Sequence, residues 1–447
     1  MIVGPPLERP SESAMVKVFA AIVFVCALTV AIPPVRAETW QVEIEPRPQD
    51  YFEHVSYRLW LPDALSQARG ILVLHHGCGV TGGLLHAGDV QYRALANKWH
   101  LGLLAAAEWQ SDATCQYWVR IERGSADAFL AALSQLAAKS GHPEIATVPW
   151  ALWGHSGGGV WVTAMTARFP DRVMATFARS GAFGPPDDVI GEGPMTLKVN
   201  DAMRRVPMMF CYGAKEELPD NVMTHFMAHV REVYNLGGTA SRWALAIDPI
   251  TGHENGDTRF LTMRFFDTVF SQTPALGGNA LSPGYWQGDP RNLEISPAGQ
   301  PLKRSGDVAL AWLPDEAFAR AWQEFGRLGE IRDITPPEPP TALTARRIAN
   351  GVVLNWRANA DVESGIKEFR VYGDGQLLAR VASVHGDDVK ENFHTWNYTD
   401  RPAADQEDNA MRYAWRGTPH RIFTITTINH AGLESAPSAA ARPAAGD

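Results

Sequence analysis

The sequence of 447 residues contains little cysteine and few long apolar runs. Four cysteines cannot form the dense disulfide framework that holds small secreted domains together, so that class of protein is excluded. Charged residues make up 20% of the chain and the formal net charge is −9, so we expect no nucleic-acid partner and no binding to an anionic membrane. A hydrophobic content of 45% predicts a folded protein, and its length favours more than one domain.

One apolar run near the N-terminus has the features of an export signal. Lys17 precedes the run Val18–Ile32, and the small-residue site Val35-Arg36-Ala37 stands directly before Glu38. This order predicts that residues 1–37 are a cleaved signal peptide and that the protein is secreted or periplasmic. The run of about 15 residues is shorter than the ~20 that a spanning helix needs, so a membrane anchor is less favoured and no span is expected after cleavage.

Residues 38–275 alternate short apolar runs with longer amphipathic stretches. The runs that predict buried strands are Ile71–His75, Leu101–Ala107, Trp150–Trp153, Met174–Ala178, Pro207–Tyr212 and Trp243–Ile247. The stretch Ala126–Ala138 between two of them predicts a helix with one apolar stripe. Strands that alternate with helices indicate an α/β domain, in which helices cover both faces of a mostly parallel sheet.

After residue 275 the pattern changes twice. Residues 276–333 predict an extension that packs on the first domain and carries one amphipathic helix near Pro314–Phe325. Residues 334–340 are rich in proline and predict a stiff linker.

Residues 341–442 show a pattern of strands without helices. The predicted strands are Val352–Trp356, Glu368–Tyr372, Leu377–Val381 and Ile422–Ile428. Short strands at this spacing predict a β-sandwich. The segments Leu354-Asn-Trp356, Phe369-Arg-Val-Tyr372 and Asn429-His-Ala-Gly-Leu-Glu-Ser435 resemble a fibronectin type III domain. The sequence leaves open whether this domain is a binding module or a spacer.

The strongest chemical signal is the segment Gly154-His155-Ser156-Gly157-Gly158. A predicted strand, Trp150–Trp153, precedes it, and a helical stretch, Gly157–Phe169, follows it. Strand, sharp turn and helix around a G-x-S-x-G segment indicate a nucleophile elbow, so Ser156 is the candidate nucleophile. The alternative is a glycine-rich turn in which the serine has no chemical role.

A serine hydroxyl needs a base and an acid, which follow the serine along the chain in that class of fold in the order acid, then histidine. His253 follows the predicted strand Trp243–Ile247 and is the candidate base. Glu216, soon after another predicted strand, is the first choice for the acid. Glu217 is the second choice, and Asp220 lies within reach of a flexible loop.

The segment His75-His76-Gly77-Cys78-Gly79 follows the first predicted strand of the domain. The backbone N–H groups of Cys78 and Gly157 are the expected donors of an oxyanion hole. A metal site is not predicted here, because adjacent residues at a strand end point to opposite faces and no further ligand cluster accompanies His75 and His76. We expect no cofactor.

The segments His76-Gly77-Cys78, Glu108-Trp109-Gln110 and Cys115-Gln-Tyr-Trp118, together with the serine elbow, resemble the extracellular polyhydroxybutyrate depolymerase and feruloyl esterase branch of the α/β-hydrolases. The resemblance implies the α/β-hydrolase fold and an extracellular carboxylesterase, and several such depolymerases also carry a fibronectin type III domain. This sequence departs from the branch in having glycine, Gly157, directly after Ser156 where alanine is common, and glutamate where the acid is usually aspartate.

Two cysteines follow strands that are neighbours in such a sheet. Cys78 comes after Ile71–His75 and Cys115 after Leu101–Ala107, so we predict a disulfide bond between them in an exported protein. Cys211 lies within an apolar run and is expected to be a buried, inert thiol.

These patterns predict a secreted serine hydrolase that cleaves carboxylic esters through an acyl-enzyme. The aromatic residues expected near the substrate are Trp109, Tyr117, Trp118 and Phe183. The alternatives are a serine peptidase of the same fold, disfavoured because no gating domain precedes the catalytic segment, and an inactive surface-binding protein. Whether the ester is polymeric, aromatic or small stays open, as does the oligomeric state.

Overall fold

A computed structural model describes residues 1, 38–62, 65–78, 83–109, 115–184, 197–221, 223–254, 258–277, 284–358, 361, 364–382, 410–417 and 420–444. The chain divides into two compact units, Met1–Val35 and Arg36–Asp447. Apart from Met1, the predicted signal peptide lies outside the described residues and stays a prediction. Within the described ranges, no helix combines the length and the apolar character that crossing a bilayer requires.

A large twisted sheet forms the centre of the second unit. Its strands in the described chain are β1 (Glu38–Ile44), β2 (His54–Leu61), β3 (Gly70–His75), β4 (Leu101–Trp109), β5 (Trp150–His155), β6 (Val173–Arg179), β7 (Met208–Gly213) and β8 (Trp243–Asp248). Their spatial order is β1-β2-β4-β3-β5-β6-β7-β8. Strands β3 to β8 are parallel, whereas β2 pairs antiparallel with both β1 and β4. This is the strand arrangement of the α/β-hydrolase fold.

Helices cover both faces of the sheet. They are α1 (Val90–Trp99), α2 (Cys115–Trp118), α3 (Ser125–Ser140), α4 (Gly157–Arg168), α5 (Asp201–Arg205), α6 (Thr224–Gly237) and α7 (Thr258–Ser271). Phe129 of α3 and Trp161 of α4 belong to the core on one face, and Tyr92 of α1 and Phe265 of α7 belong to the core on the other. Helix α4 is buried along almost its whole length, which is why it has no polar stripe.

Residues 284–333 add a small antiparallel sheet and one helix to the second of these cores. The elements are β9 (Trp286–Gly288), β10 (Ile295–Pro297), β11 (Ala311–Leu313) and α8 (Glu316–Leu328). The Asp315 side chain accepts the N–H of Phe318 at 2.8 Å, which explains where α8 begins. The buried Trp322 donates its indole N–H to the carbonyl oxygen of Leu245 in β8, at 2.9 Å. This segment therefore packs against the end strand of the large sheet.

The C-terminal region is a β-sandwich of two three-stranded sheets within the described residues, ordered β12-β13-β16 and β15-β14-β17. The strands are β12 (Thr341–Ile348), β13 (Gly351–Arg357), β14 (Ile366–Gly373), β15 (Gln376–Ala382), β16 (Ala410–Trp415) and β17 (Phe423–Asn429). Trp356 and Phe369 meet edge to face in its core, with ring centroids 5.4 Å apart. The predicted fold class, an α/β-hydrolase domain followed by a β-sandwich, is confirmed.

The sandwich contacts two helices of the hydrolase domain. Gln91 at the start of α1 donates its side-chain amide to the carbonyl oxygen of Asp361 at 2.9 Å. The ring of Phe260 in α7 lies 6.0 Å from that of His430. Asp333, just before the proline-rich segment, accepts hydrogen bonds from Ser364 at 2.6 Å and Asn429 at 2.5 Å. The sandwich is thus held against the hydrolase domain at α1 and α7.

Two glycines of the sandwich allow a matched test of this contact. Gly365 (φ +76°) and Gly375 (φ +81°) both have positive φ, so alanine at either position should cost about 1–2 kcal/mol of folding free energy. A methyl group on Gly365 would also lie 2.8 Å from Gln91 and Phe260, whereas nothing lies within 4 Å of one on Gly375. We expect Gly365→Ala to lower the free energy of unfolding by about 1–3 kcal/mol more than Gly375→Ala in chemical denaturation. Equal losses would contradict the contact.

Candidate active site

Ser156 lies at the tight turn between strand β5 and helix α4. Its backbone angles, φ 55° and ψ −120°, are outside the regions that non-glycine residues favour. Its N–H donates to the carbonyl oxygen of Arg179 at 2.8 Å, which holds the turn against β6. A methyl group on Gly158 would lie 2.2 Å from the carbonyl oxygen of His75, so only glycine lets α4 approach β3 this closely. Strand, strained serine and buried helix together form a nucleophile elbow.

The structure brings Ser156, His253 and Glu216 into one hydrogen-bonded chain. The Nε2 atom of His253 lies 2.9 Å from the Oγ of Ser156, and its Nδ1 lies 2.6 Å from Oε1 of Glu216. Both distances are within hydrogen-bonding range. Glu216 and His253 follow β7 and β8, so the three side chains meet at the carboxyl ends of parallel strands.

The Glu216 carboxylate is fully buried, with 0% of the residue exposed. Its Oε2 atom accepts the N–H of Gly213 at 2.9 Å and the hydroxyl of Ser180 at 2.7 Å, while the Arg179 guanidinium lies 3.8 Å away. Burial alone would raise the pKa of Glu216. The hydrogen bond from His253, the charge of Arg179 and the Ser180 hydroxyl together hold that pKa below its ordinary value. The carboxyl group is therefore ionised at neutral pH.

Glu217, the second choice for the acid, occupies a different environment. Its carboxylate accepts the Tyr212 hydroxyl at 2.6 Å and forms ion pairs with Arg231 and Arg291, the latter at 2.9 Å. The Nδ1 atom of His253 is bonded to Glu216. The structure therefore directs the first choice, and not the second, toward the histidine.

Two polar residues that were not predicted from the sequence contact the acid and the loop that carries the histidine. Arg179, the last residue of β6, is fully buried and donates to three oxygens of the loop that carries His253. Ser180 follows it with φ 50° and donates to Glu216. Arg179 could have been identified from the sequence as a charged residue at the carboxyl end of an apolar strand, because parallel sheets place their active sites at that edge.

His155, directly before the nucleophile, holds the backbone of His253. Its Nε2 lies 2.7 Å from the carbonyl oxygen of His253, and since a carbonyl only accepts, this nitrogen carries the proton. Burial, followed by the nearby charges of His253 and Arg179, lowers the pKa of His155 well below its ordinary value. His155 is therefore neutral and donates to His253 across the physiological pH range.

The predicted oxyanion residues are neighbours. A methyl group placed on Gly157 would lie 3.4 Å from the backbone nitrogen of Cys78, and one on Gly77 would lie 3.0 Å from Cβ of Ser156. The loop after β3 thus runs beside both the nucleophile and the first residue of α4. The backbone nitrogen of Cys78 therefore lies close to Gly157, the residue that follows the nucleophile.

The histidine before this loop is part of the hydrophobic core. His75 is fully buried between Trp118 and Trp161, with ring centroids 6.1 and 4.7 Å from its own. Trp118 donates its indole N–H to Nε2 of His75 at 2.8 Å. Burial lowers the pKa of His75 to about 3, so the ring is neutral. Among the described residues, no group of three or more His, Cys, Asp or Glu side chains is arranged to hold a metal ion.

The four aromatic residues predicted near the substrate have different surroundings. The Trp109 side chain lies outside the described residues. Trp118 is 1% exposed and Phe183 is 4% exposed, so the structure places both in the core. Tyr117 is half-buried, and its ring centroid lies 5.4 Å from that of the exposed Tyr51. Among the three of these side chains that the structure describes, Tyr117 is the one that is partly accessible.

Cys211 matches its predicted character. It is a free cysteine, fully buried, and burial raises the pKa of its thiol to about 12. A protonated, inaccessible thiol is unreactive. The side chain of Cys115 lies outside the described residues, so the predicted bond with Cys78 stays a prediction.

No protein-family model matches this sequence, and no curated protein matches it either. Among solved structures, a dienelactone hydrolase from Anabaena variabilis is similar at 17% identity, with 49% of this chain and 88% of that chain covered and a TM-score of 0.31. An acetyl xylan esterase from Aspergillus awamori is similar at 14% identity, with 45% and 81% covered and a TM-score of 0.33.

A third similar structure is a Fn3-like protein from Clostridium thermocellum, at 17% identity, with 25% of this chain and 97% of that chain covered and a TM-score of 0.17. All three identities are below 25% and all three TM-scores are below 0.5. The fold assignment therefore comes from the strand order and connections of this chain.

Proposed function

We propose that this protein is a serine hydrolase that cleaves carboxylic esters, with Ser156 as nucleophile, His253 as general base and Glu216 as the acid. The observation that carries the proposal is the hydrogen-bonded chain from Ser156 Oγ through His253 to the buried Glu216, at 2.9 and 2.6 Å. Serine, histidine and an ionised acid in this geometry are the parts that acyl transfer requires.

In the proposed reaction, Ser156 Oγ attacks the ester carbonyl carbon while His253 Nε2 takes the hydroxyl proton. The imidazolium then donates that proton to the leaving alcohol as the C–O bond breaks, which leaves an acyl-enzyme. A water molecule, deprotonated by His253, attacks the acyl carbon and releases the carboxylic acid and Ser156. Glu216 fixes the tautomer with Nδ1 protonated and stabilises the imidazolium in both steps.

The oxyanion formed in each step would accept hydrogen bonds from the N–H groups of Cys78 and Gly157. Support for this role comes from the 3.4 Å between a methyl position on Gly157 and the Cys78 nitrogen. Such donors, fixed before the reaction, stabilise charge that develops only in the transition state.

We further propose that the ester substrate carries an aromatic or polymeric acyl group. Tyr117 stands two residues before Val119, whose side chain would lie 3.2 Å from a methyl group on Gly157. The ring of Tyr117 lies beside Tyr51, and the Arg123 guanidinium lies 4.6 Å from the centroid of the Tyr51 ring. We propose that this partly exposed aromatic pair contacts the acyl group of the substrate. We also propose that the protein acts outside the cytoplasm, as a secreted or periplasmic enzyme.

A substrate panel tests the reaction class. The full chain is assayed with p-nitrophenyl esters, methyl ferulate, polyhydroxybutyrate and a p-nitroanilide peptide, each beside the Ser156→Ala variant. We expect the wild-type chain to hydrolyse esters and the variant to match the buffer blank. Cleavage of the anilide without cleavage of any ester would favour a peptidase. No hydrolysis of any substrate would favour an inactive binding protein.

We also propose the disulfide bond between Cys78 and Cys115. A methyl group on Gly157 would lie 2.5 Å from the Cys78 sulfur and 3.2 Å from the side chain of Val119, which follows helix α2, the helix that begins at Cys115. Both cysteines therefore belong to segments that adjoin the same residue. The bond would fix the loop that supplies an oxyanion donor and contribute about 3–4 kcal/mol by the loop-entropy estimate.

Peptide mass mapping of the non-reduced protein checks this bond. We expect one linked pair of peptides containing Cys78 and Cys115, and one alkylated thiol after denaturation, at Cys211. Three alkylated thiols in the mature chain would show that the bond does not form.

A further inference from the structure

We propose that Arg179 and Ser180, at the carboxyl end of β6, are positioning residues that hold the base and the acid of the active site in reacting geometry. This inference rests on the proposed function of Ser156, His253 and Glu216. Arg179 fixes the backbone on both sides of His253, and Ser180 fixes the orientation of the Glu216 carboxylate.

Arg179 binds the loop that carries His253. Its Nη2 atom donates to Oγ1 of Thr251 at 3.0 Å and to the carbonyl oxygens of Gly252 at 2.8 Å and Glu254 at 2.6 Å. The two carbonyl groups stand directly before and after His253. Residues 251–254 belong to no helix or strand, so secondary structure supplies no hydrogen bonds to the carbonyl groups of Gly252 and Glu254. The fully buried guanidinium of Arg179 supplies these hydrogen bonds. Arginine suits this task because it stays charged and offers donors in a rigid plane.

Ser180 and Arg179 also act on the acid. The Ser180 hydroxyl donates to Oε2 of Glu216 at 2.7 Å, and Nη1 of Arg179 lies 3.8 Å from the same oxygen. With the N–H of Gly213 also on Oε2, the other oxygen, Oε1, faces Nδ1 of His253 at 2.6 Å. A carboxylate held this way presents one chosen oxygen to the histidine.

The backbone of Ser180 is itself strained. Its φ of 50° is uncommon for a residue that is neither glycine nor asparagine, and its N–H donates to the carbonyl oxygen of Cys211 in β7 at 2.7 Å. A methyl group added to the next residue, Gly181, would lie 2.3 Å from the carbonyl oxygen of Ser156. The turn after β6 therefore lies tightly between the nucleophile and the acid. Strain of this kind is typical of sites where a side chain must point in one direction.

Electrostatics supports the same role. Burial raises the pKa of Glu216. Other contributions lower this pKa: the hydrogen bond with His253, the charge of Arg179 and the hydrogen bond from the Ser180 hydroxyl. Without Arg179 the buried acid would lose a cation that favours its ionised form. A neutral acid could not stabilise the imidazolium that His253 becomes during the reaction.

A purely structural role would give a different result in a double-mutant cycle. If Ser180 acts through the acid, its loss should matter little once Glu216 is already replaced; if Arg179 acts through the base, its loss should matter little once His253 is already replaced. If they only stabilise the fold, each substitution should cost the same factor in either background. The comparison therefore separates positioning from stability.

The experiment measures kcat and KM of the full chain on a soluble p-nitrophenyl ester. Ser180→Ala is measured alone and combined with Glu216→Gln, and Arg179→Lys is measured alone and combined with His253→Ala. We expect each single variant to lose roughly 10- to 100-fold in kcat with KM within about twofold of wild type. In each double variant, the further loss relative to Glu216→Gln or His253→Ala alone should be below about threefold.

Arg172→Lys is the matched control. Arg172 directly precedes β6, at the strand's opposite, amino end, and donates to two backbone carbonyl groups, Ala146 at 3.2 Å and Val148 at 3.0 Å. This variant should keep wild-type kcat even if its unfolding temperature falls.

Wild-type kcat in Ser180→Ala and Arg179→Lys, or equal losses in both backgrounds, would overturn the inference. Ser180→Ala removes one oxygen atom and decides the question if Arg179→Lys does not fold. Full activity in Ser156→Ala would instead overturn the proposed function.

Discussion

Replacing Ser156 with alanine is expected to lower kcat on a soluble ester by roughly four to six orders of magnitude. The reason is that no other group in the hydrogen-bonded chain can attack the carbonyl carbon. His253→Ala should have a comparable effect, because the Ser156 hydroxyl would lose the base that lies 2.9 Å away. Steady-state kinetics with active-site titration measures both losses.

Because the two residues act as a unit, the double variant should be little slower than either single variant. Circular dichroism should show that all three variants are folded, since neither side chain contributes to the hydrophobic cores. Additive losses in the double variant would contradict a shared step.

Glu216→Gln is expected to lower kcat by roughly three to four orders of magnitude, because an amide cannot stabilise the imidazolium or fix its tautomer. Glu217→Gln is the matched control, one residue along the same short turn. Its partners are Tyr212, Arg231 and Arg291. We therefore expect it to lower the unfolding temperature and to leave kcat within about twofold of wild type. The reverse ranking in kcat would assign the acid to Glu217.

The large sheet could be predicted because its central strands are buried on both faces. The runs Ile71–Leu74 and Trp150–Trp153 are apolar throughout, and the observed strands differ from the predicted ones by one or two residues at their ends. Strands β1 and β2 were not predicted. Their sequences alternate polar and apolar side chains, as Glu38–Ile44 shows, because they lie at the antiparallel edge of the sheet. Strand β16 of the sandwich was not predicted for the same reason, because its sequence also lacks a continuous apolar run.

The candidate site was predictable where chain order and local turn geometry determine it. Ser156, Glu216 and His253 each follow a predicted strand, and parallel strands end at one edge of the sheet. Arg179 was not predicted, since two of its three acceptors are backbone carbonyl groups more than 70 positions away, and a carbonyl leaves no signature in sequence. Aromatic residues in loops posed a different difficulty. Core packing and substrate contact favour the same side chains, and the structure buries Trp118 and Phe183.

Labelling with a fluorophosphonate, followed by peptide mass spectrometry, tests the central claim most directly. The reagent reacts with a serine only when a neighbouring base activates it, and it does not depend on knowledge of the natural ester. We predict one modified peptide in the wild-type protein, with the label on Ser156, and none in Ser156→Ala. A wild-type protein that takes up no label, or takes it up on another serine, would contradict the account.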